Sequence, residues 1–517
     1  MYNTDINNQA LEIIWRTDGY KTDHRRQYPE NTTKVYANFT PRSIHRSVKD
    51  TRYPAVVMFG LKRLLEDLKQ GFDIFFTSDI DIIAPAYAKR LEAFTGLKNP
   101  DITHIYELHK LGYLPLEIKA IPEGELGLIN QPLLTVTNTH PSGFWLVNYL
   151  ETWISTALWQ PITSATTAWN IRQLMDTWAT KTGGNPQENG PLAHDFSYRG
   201  MPGVEAASAS GAGHLTSFIG SDSLPAWDYI MSTYPETEGT IQIGVPASEH
   251  SVMTAGAITK EDGTMDEREQ IQRLLNLYPT GFLSVVSDSY DYWGMLTEVL
   301  PEFKDQIMDR DGKYVVRPDS GNPVDIVTGD PHAEPGTPES KGTLEILWNI
   351  FGGTVNDKGY RVLDSHIGLI YGDSMNYATI QQMCQRMEES GFATQNIVFG
   401  IGSYNYQYVT RDTYGFAMKT TWVEVNGAGK SVFKDPATAN NMKKSARGLL
   451  SLTEKDGQRV FTQDISAEDE SKEKTDDVFK IVFHDGNILN CENDFQEIRK
   501  QLVESTTKAM ENGWLEN

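Results

Sequence analysis

Apolar and polar positions fall into three regimes along the chain. In the first part, up to about residue 190, Leu114–Ile121 (LPLEIKAI) alternates apolar and polar side chains, and Leu133–Thr137 is a second β-rich run. A period of two is that of a half-buried strand. Phe144–Leu158 is apolar on most sides and predicts a buried helix, with Pro161 just beyond it as the expected stop. Between about residues 190 and 400 short apolar runs alternate with helical ones. Predicted strands are Leu215–Ile219, Ile241–Val245, Leu283–Val286, Tyr314–Val316, Ile367–Tyr371 and Ile397–Phe399, with a further short one ahead of His194. Predicted helices include Leu224–Met231, Met265–Leu277, Tyr292–Val299 and Ala378–Glu389. Such alternation implies parallel strands joined by crossover helices, and about seven such units fit a barrel better than an open sheet. In the last part Leu450–Phe461 reads as a hairpin turning at Asp456-Gly457. The acidic stretch Asp464–Asp477 reads as a solvated loop. The expected fold is α/β: an incomplete or irregular (β/α) barrel of mostly parallel strands, packed with an α+β domain drawn from the N-terminal third and the C-terminal part. The expected boundaries are 1–190 (N-terminal α+β region), 191–405 (barrel-like region) and 406–517 (C-terminal α+β region).

Composition narrows the class. The 517 residues are 39% hydrophobic and 22% charged, ordinary globular material. No apolar run approaches the ~18–20 residues that span a bilayer. The opening MYNTDINNQALEIIW has neither the basic nor the apolar segment of a secretory signal. With two cysteines, Cys384 and Cys491, and no CxxC pair, a reducing cytoplasm is the expected compartment. The formal net charge of −23 argues against nucleic acid as a partner. A phosphorylated ligand would need a local basic cluster to overcome that field.

In parallel α/β folds chemistry gathers at the carboxyl ends of strands. The residues following the predicted strands here are His194-Asp-Phe-Ser-Tyr-Arg-Gly200, Gly220-Ser-Asp222, Pro246-Ala-Ser-Glu249-His250, Ser287-Asp288-Ser-Tyr-Asp291, Arg317-Pro-Asp319-Ser-Gly-Asn-Pro323, Gly372-Asp373 and Gly400-Ile-Gly402-Ser403. Any one such loop is ordinary. Jointly they bring acidic groups, an arginine and a histidine to one face, beside two glycine-containing loops of the kind that admit phosphate oxygens to backbone N–H groups. Carboxylates beside a phosphate call for a divalent cation or a developing cationic centre between them, and the two together suggest transfer of a phosphorylated sugar. Glu249-His250 is not a zinc motif, since HExxH is absent.

These motifs resemble those of the nicotinamide phosphoribosyltransferases over nearly the whole chain. Thr17–His24 (TDGYKTDH), Gln27–Pro29, Leu114–Gly124, Trp145–Thr152, Pro161–Thr163, His194–Gly200, Ser284–Asp291 (SVVSDSYD), Arg317–Pro323 (RPDSGNP), Thr410–Asp412 and Val432–Pro436 carry the resemblance. It implies a type II phosphoribosyltransferase, a cytoplasmic homodimer with shared sites. This would join nicotinamide to 5-phosphoribosyl 1-diphosphate with Mg²⁺, and use ATP through a phosphohistidine. By the resemblance Phe196 and Tyr20, the latter from the second subunit, sandwich the pyridine ring, and Asp222 accepts from the carboxamide NH₂. Arg317 meets the carboxamide oxygen or the ribose phosphate, and Arg199 lies beside ring and phosphate. Asp319 and Asp288 face the ribose. Gly372, Asp373 and Gly402 cradle phosphate and ribose, while Arg42, Arg411, Lys419 and Lys434 bind diphosphate. His250 is the implied phosphohistidine, with Glu249 and Asp288 orienting it. No metal ligands are assigned, Mg²⁺ being carried by substrate diphosphate. Two departures stand out: the loop Gly400–Tyr406 has fewer glycines and two tyrosines, and Gly244 stands where the vertebrate pattern has serine. Val315 and Ile370, at tunnel-lining positions, remain aliphatic. The rival readings are a nicotinate phosphoribosyltransferase, against which Asp222 argues, and an inactive nucleotide-binding relative, against which the retained arginines and carboxylates argue.

Overall fold

A computed structural model describes residues 5–44, 53–372, 375–434, 446–472 and 476–516. The chain divides into two compact units. One comprises residues 1–166, 229–238 and 409–517, and the other residues 167–228 and 239–408.

The second unit holds a six-stranded, all-parallel sheet. Its order is Thr280–Val286, Asp311–Arg317, Ile367–Tyr371, Ile397–Ile401, Ala193–Asp195, Gly220–Ser221. Neighbours follow chain order once the ring is entered at Ala193, the pattern of consecutive βα units. The two edges are joined by the intervening segment. Gly220 bridges Ile243 and Ala247 bridges Ser284, both in parallel, with Ser221 N–H donating to the Ile243 carbonyl at 3.1 Å and Ser284 N–H to that of Pro246 at 2.9 Å. The result is an irregular barrel closed by one stretch without a regular ladder, as the alternation of short strands and helices implied. Along each strand alternate side chains point outward into a core shared with the surrounding helices, among them Leu283, Val285, Tyr314, Val316 and Phe399, all buried. Burying each such side chain contributes about 2 kcal/mol.

Two predicted strands of this unit are corrected. Leu215 ends the helix Val204–Leu215 and the strand is Gly220–Ser221, because the apolar residues Leu215 and Phe218 enter the core from a helix end, where Phe218 N–H donates to the His214 carbonyl at 3.2 Å. Ile241–Val245 forms no regular strand, Ile243 bridging to Gly220. The helix expected from Met265 starts at Arg268, since Met265–Asp266 pairs with Ile258–Thr259. Tyr292–Val299 is not one regular helix but an α-turn followed by a five-residue π-helix.

The first unit is built on a seven-stranded antiparallel sheet. Its order is Ala428–Ser431, Ala417–Val425, Thr32–Thr40, Leu134–Asn138, Leu116–Ala120, Lys480–His484, Asn487–Ile488. The helix Leu61–Thr77 buries Leu61, Leu64, Leu65, Leu68, Phe72 and Phe75, the i, i+3, i+4, i+7 spacing of one helical face. Asp79 caps the helix Ile80–Thr95 by accepting the Asp81 N–H at 3.0 Å, and Gly96 at φ 72° ends it. The expected hairpin is Leu449–Lys455 paired with Gln458–Ile465, and Asp456 and Gly457 both have positive φ (51° and 74°), as a tight two-residue turn requires.

Pro161 does not stop a helix. It lies buried inside Glu151–Lys181, where its ring packs so closely on Gly60 that a Cβ there would come within 2.7 Å of Cγ. A tertiary contact of this kind outweighs the lost N–H and the kink that proline imposes. The acidic stretch also differs from its expectation. Strand pairing runs on to Ile465, Ala467–Ser471 is a helix capped by Ser466, and Glu470 accepts from Lys119 Nζ at 2.6 Å, both side chains being mostly buried.

Candidate active site

The in-register parallel ladder aligns Val286 with Arg317, Tyr371 with Phe399, Ile401 with Asp195 and Asp195 with Ser221. The polar loops that follow therefore open at one end of the barrel. Its interior is not filled. A cavity of about 320 Å³ is walled by inward residues including Gly244, Val245, Val315, Gly368, Ile370 and Val398. His194, Phe196, Asp222 and Arg317 stand at the loop end, and Phe282, Lys313 and Gln395 towards the strand starts.

At the loop end Asp222 Oδ1 lies 3.0 Å from His194 Nε2. The His194 ring is nearly buried and sits 4.7 Å from that of Phe196, tilted by 32°. The Arg317 guanidinium is 5.1 Å from the Phe196 centroid, a cation–π distance, and its Nε is buried without a hydrogen-bond partner. A flat ring, a carboxylate and a guanidinium thus share one small apolar chamber. Gly244 belongs to this group: a Cβ there would come within 3.1 Å of Asp222 Oδ1. Arg199 is exposed on the short turn Tyr198–Gly200.

A second group forms after Val286 and Arg317. Asp288 Oδ2 accepts from the Asp319 N–H at 2.8 Å and from Ser320 Oγ at 2.7 Å, while its buried Oδ1 has no hydrogen-bond partner. His250, half exposed at the start of the helix His250–Gly256, points Nε2 between Asp288 Oδ1 and Asp319 Oδ2, 3.9 Å from each. That is ion-pair range but too long for a hydrogen bond. Its Nδ1 lies 3.3 Å from Ser289 Oγ. The Glu249 carboxylate is engaged by the Ser251 hydroxyl. Gly372 lets two charged side chains approach the backbone, since a Cβ would fall 2.4 Å from Asp319 Oδ1 and 3.0 Å from Arg317 Nε. At Gly402 a Cβ would meet nothing within 4 Å, so the loop faces open space. Asp373 lies outside the described residues.

The remaining expected residues lie in the first unit. Arg42 Nε donates to the Gly415 carbonyl at 3.1 Å, Lys419 pairs in register with Asn38, and Arg411 opens a turn capped by Thr410. Desolvation first, then the neighbouring Arg411, lowers the Arg42 pKa. Lys419 is lowered by desolvation and by Arg42, Lys21 and Arg411, against the opposing pull of Glu151. Cations that depress one another form a site whose field is relieved by an anion. Lys434 is exposed beyond Ala428–Ser431, and Tyr20 is exposed with its ring 5.1 Å from His24.

Two residues were missed from the sequence. His194 was read only as the start of a motif, yet it holds the Asp222 carboxylate. Glu267, buried behind the histidine group, has its pKa raised by burial first, with Asp288 adding to it and the Ser289 hydrogen bond and His250 opposing. No local pattern marks either one, because their partners are 28 and at least 17 positions away in sequence.

Solved structures locate the architecture. Nicotinate-nucleotide pyrophosphorylase from Pyrococcus furiosus superposes with a TM-score of 0.55 at 14% identity, over 98% of this chain and 97% of that one. Human nicotinic acid phosphoribosyltransferase does so with a TM-score of 0.52 at 13% identity, over 95% and 93%. The fold is thus that of the type II phosphoribosyltransferases. The sequence profile of the nicotinate phosphoribosyltransferase (NAPRTase) family matches residues 192–486, and that of the nicotinamide phosphoribosyltransferase N-terminal domain residues 12–118. The nicotinamide phosphoribosyltransferase of Acinetobacter baylyi is 43% identical over 94% of this chain and 96% of its own. That of Xanthomonas campestris is 33% identical over 85% and 87%. The chain belongs to the nicotinamide phosphoribosyltransferases of this family.

Proposed function

We propose that the protein transfers the phosphoribosyl group of 5-phosphoribosyl 1-diphosphate to nicotinamide, giving nicotinamide mononucleotide and diphosphate, as a step of NAD salvage. The observation that carries this reading is Asp222, held by His194 at 3.0 Å at the mouth of an otherwise apolar chamber beside Phe196 and Arg317. A carboxylate accepts hydrogen bonds from an amide NH₂ and repels the carboxylate of nicotinate. With one Asp222 oxygen taken by His194, the other is left for the amide. Phe196 stacks on the ring, and Tyr20 of a second copy closes it from the other side, each offset stack adding about 0.5–1.5 kcal/mol. Arg317 meets the carboxamide oxygen or the ribose phosphate, with Arg199 beside it.

The pyridine nitrogen attacks the anomeric carbon with its own lone pair, the bond to diphosphate breaks, and the electrons leave with that oxygen. No general base is needed. Asp288 and Asp319 face the ribose as it becomes cationic, and Gly372, Asp373 and Gly402 hold its phosphate. Arg42, Arg411, Lys419 and Lys434 take the diphosphate, a local basic field within a chain of net charge −23. Mg²⁺, when bound, neutralises the leaving diphosphate. The buried Asp288 Oδ1, engaged by no hydrogen bond, fits a cation held chiefly by substrate oxygens with one protein contact. ATP phosphorylates His250, whose flanking by Asp288 and Asp319 suits an imidazole that becomes charged, and hydrolysis of that phosphate drives the transfer. Glu249 steadies the histidine turn. The protein works as a cytoplasmic homodimer with shared sites, and its two free thiols suit that compartment.

Incubation with nicotinamide, phosphoribosyl diphosphate and Mg²⁺, with and without ATP, is expected to yield nicotinamide mononucleotide, more of it with ATP. His250→Ala is expected to abolish ATP-dependent phosphate labelling, and persistent labelling would remove His250 from that role. The rival substrate, nicotinate, has the Arg317 guanidinium in its favour. A competition assay in which nicotinate wins would overturn the reading.

A further inference from the structure

The loop after the last barrel strand departs from its family pattern by carrying two tyrosines, and they do different things. Tyr404 stacks on Tyr408 at 4.5 Å on the surface. Tyr406 turns inward, is 1% exposed, and places its hydroxyl 2.7 Å from Nδ1 of the fully buried His214. The other ring nitrogen, Nε2, is 3.0 Å from the Gly220 carbonyl. A carbonyl only accepts, so Nε2 carries the hydrogen. In the neutral imidazole that burial favours, Nδ1 is then the acceptor and the Tyr406 O–H donates to it. One imidazole thus ties the loop that carries Asp222 to the loop that carries Gly402. The two ends are not equally firm. Gly220–Asp222 is held by barrel bonds of its own, from Ser221 N–H to Ile243 and from Asp222 N–H to Asp195. Among the described residues, the backbone bonds of the 402–407 turn run within it, from Asn405 to Gly402 and from Tyr406 and Gln407 to Ser403, and Asn405 Nδ2 donates to the Met375 carbonyl at 2.6 Å.

We propose that Tyr406 and His214 are positioning residues that fix the Gly402 loop to the barrel in the form that receives the 5-phosphate. The tyrosine does by a buried hydrogen bond what extra glycines would otherwise do by close backbone approach. This rests on the placement of phosphate at Gly402 proposed above. Tyr406→Phe keeps the packing and removes one donor, leaving Nδ1 buried and unpaired. KM for phosphoribosyl diphosphate is expected to rise about tenfold, with kcat and KM for nicotinamide within about twofold and the unfolding midpoint little changed. His214→Gln, whose amide can donate to Gly220 and accept from Tyr406, is expected to keep the low KM, whereas His214→Leu is expected to match Tyr406→Phe, the two together adding nothing further. Gly402→Val checks the placement itself by filling the open side of the loop. If Gly402→Val raises KM and Tyr406→Phe does not, or if Tyr406→Phe lowers kcat alone, the positioning role is overturned and the phosphate placement stands. An unchanged KM in Gly402→Val overturns the placement and the proposal with it.

Discussion

The two sheets of this protein use the same chemistry to opposite ends. In the antiparallel sheet, Thr32–Thr40 and Leu134–Asn138 are buried along most of their length, and the polar groups among them are paired: Asn138 accepts the Val35 N–H at 2.8 Å and donates to the Thr33 carbonyl at 2.9 Å. Most of that interior is packed and paired, with Thr421 Oγ1 on the neighbouring strand buried and lacking a hydrogen bond. In the parallel barrel the outward face is packed as tightly, but the inward face carries Gly244, Gly368, Val315 and Ile370 and leaves a cavity, with buried polar atoms on Arg317 and Asp288 unpaired. Unfilled volume and unpaired polar atoms cost stability. At the loop end of the barrel the cavity opens beside the unpaired Arg317 Nε, where the proposed base would bind. The antiparallel unit gathers charge instead, in Arg42, Arg411 and Lys419.

The largest expected effect tests the charged groups at the loop end of the barrel. Arg317→Ala or Asp319→Asn is expected to lower kcat/KM by about 10²–10³-fold, as loss of one preorganised charged group does; a fall of less than tenfold in steady-state kinetics would count against their place at the reacting atoms. Next, Gly244→Val fills the chamber beside Asp222. KM for nicotinamide is expected to rise about tenfold or more with that for phosphoribosyl diphosphate unmoved, and an equal change in both would mean the cavity is not the base pocket. Arg42→Ala is expected to do the reverse, raising KM for phosphoribosyl diphosphate by about tenfold at low salt and by less at high salt. If its effect ignores ionic strength, the basic cluster acts through packing and the contrast between space and charge fails.

The smallest effect belongs to the filled unit. His104 is buried with Nδ1 unpaired, and burial first, then Arg25, holds its pKa down to about 3 against the pull of Asp101. Folded His104 stays neutral between about pH 3 and 6.5, where the unfolded chain's imidazole takes up a proton. The unfolded state therefore binds more protons in that window, and stability falls as pH drops below about 6.5. His104→Gln is expected to flatten the fall in unfolding midpoint between pH 7 and 5 by about 3 °C. Parallel curves for the two proteins would show that the imidazole is not kept neutral.

Legibility followed the range of the forces involved. Ile367–Tyr371 was readable to the residue, because an apolar run bounded by polar turns is set by its own neighbours. The helix through Pro161 was not, because a contact with Gly60, about 100 positions away, overrides the local rule. In the candidate site, Asp222, Arg317 and Asp288 could be named because each follows a strand, and His250 because its motif resembles the family's. His194 as the partner of Asp222, and Glu267 behind His250, became visible only when the barrel closed.

By itself the sequence determined the class of fold, most of the strand ends and the family, since alternation, turn residues and motif order are local properties of the chain. Only the tertiary structure decided which groups meet. It paired His194 with Asp222, set His250 between two carboxylates, left a cavity where inward side chains are small, and turned Tyr406 onto His214. The reason is that hydrogen bonds and charge pairs act over a few ångströms, and the chain brings distant residues to that range only by closing its sheet.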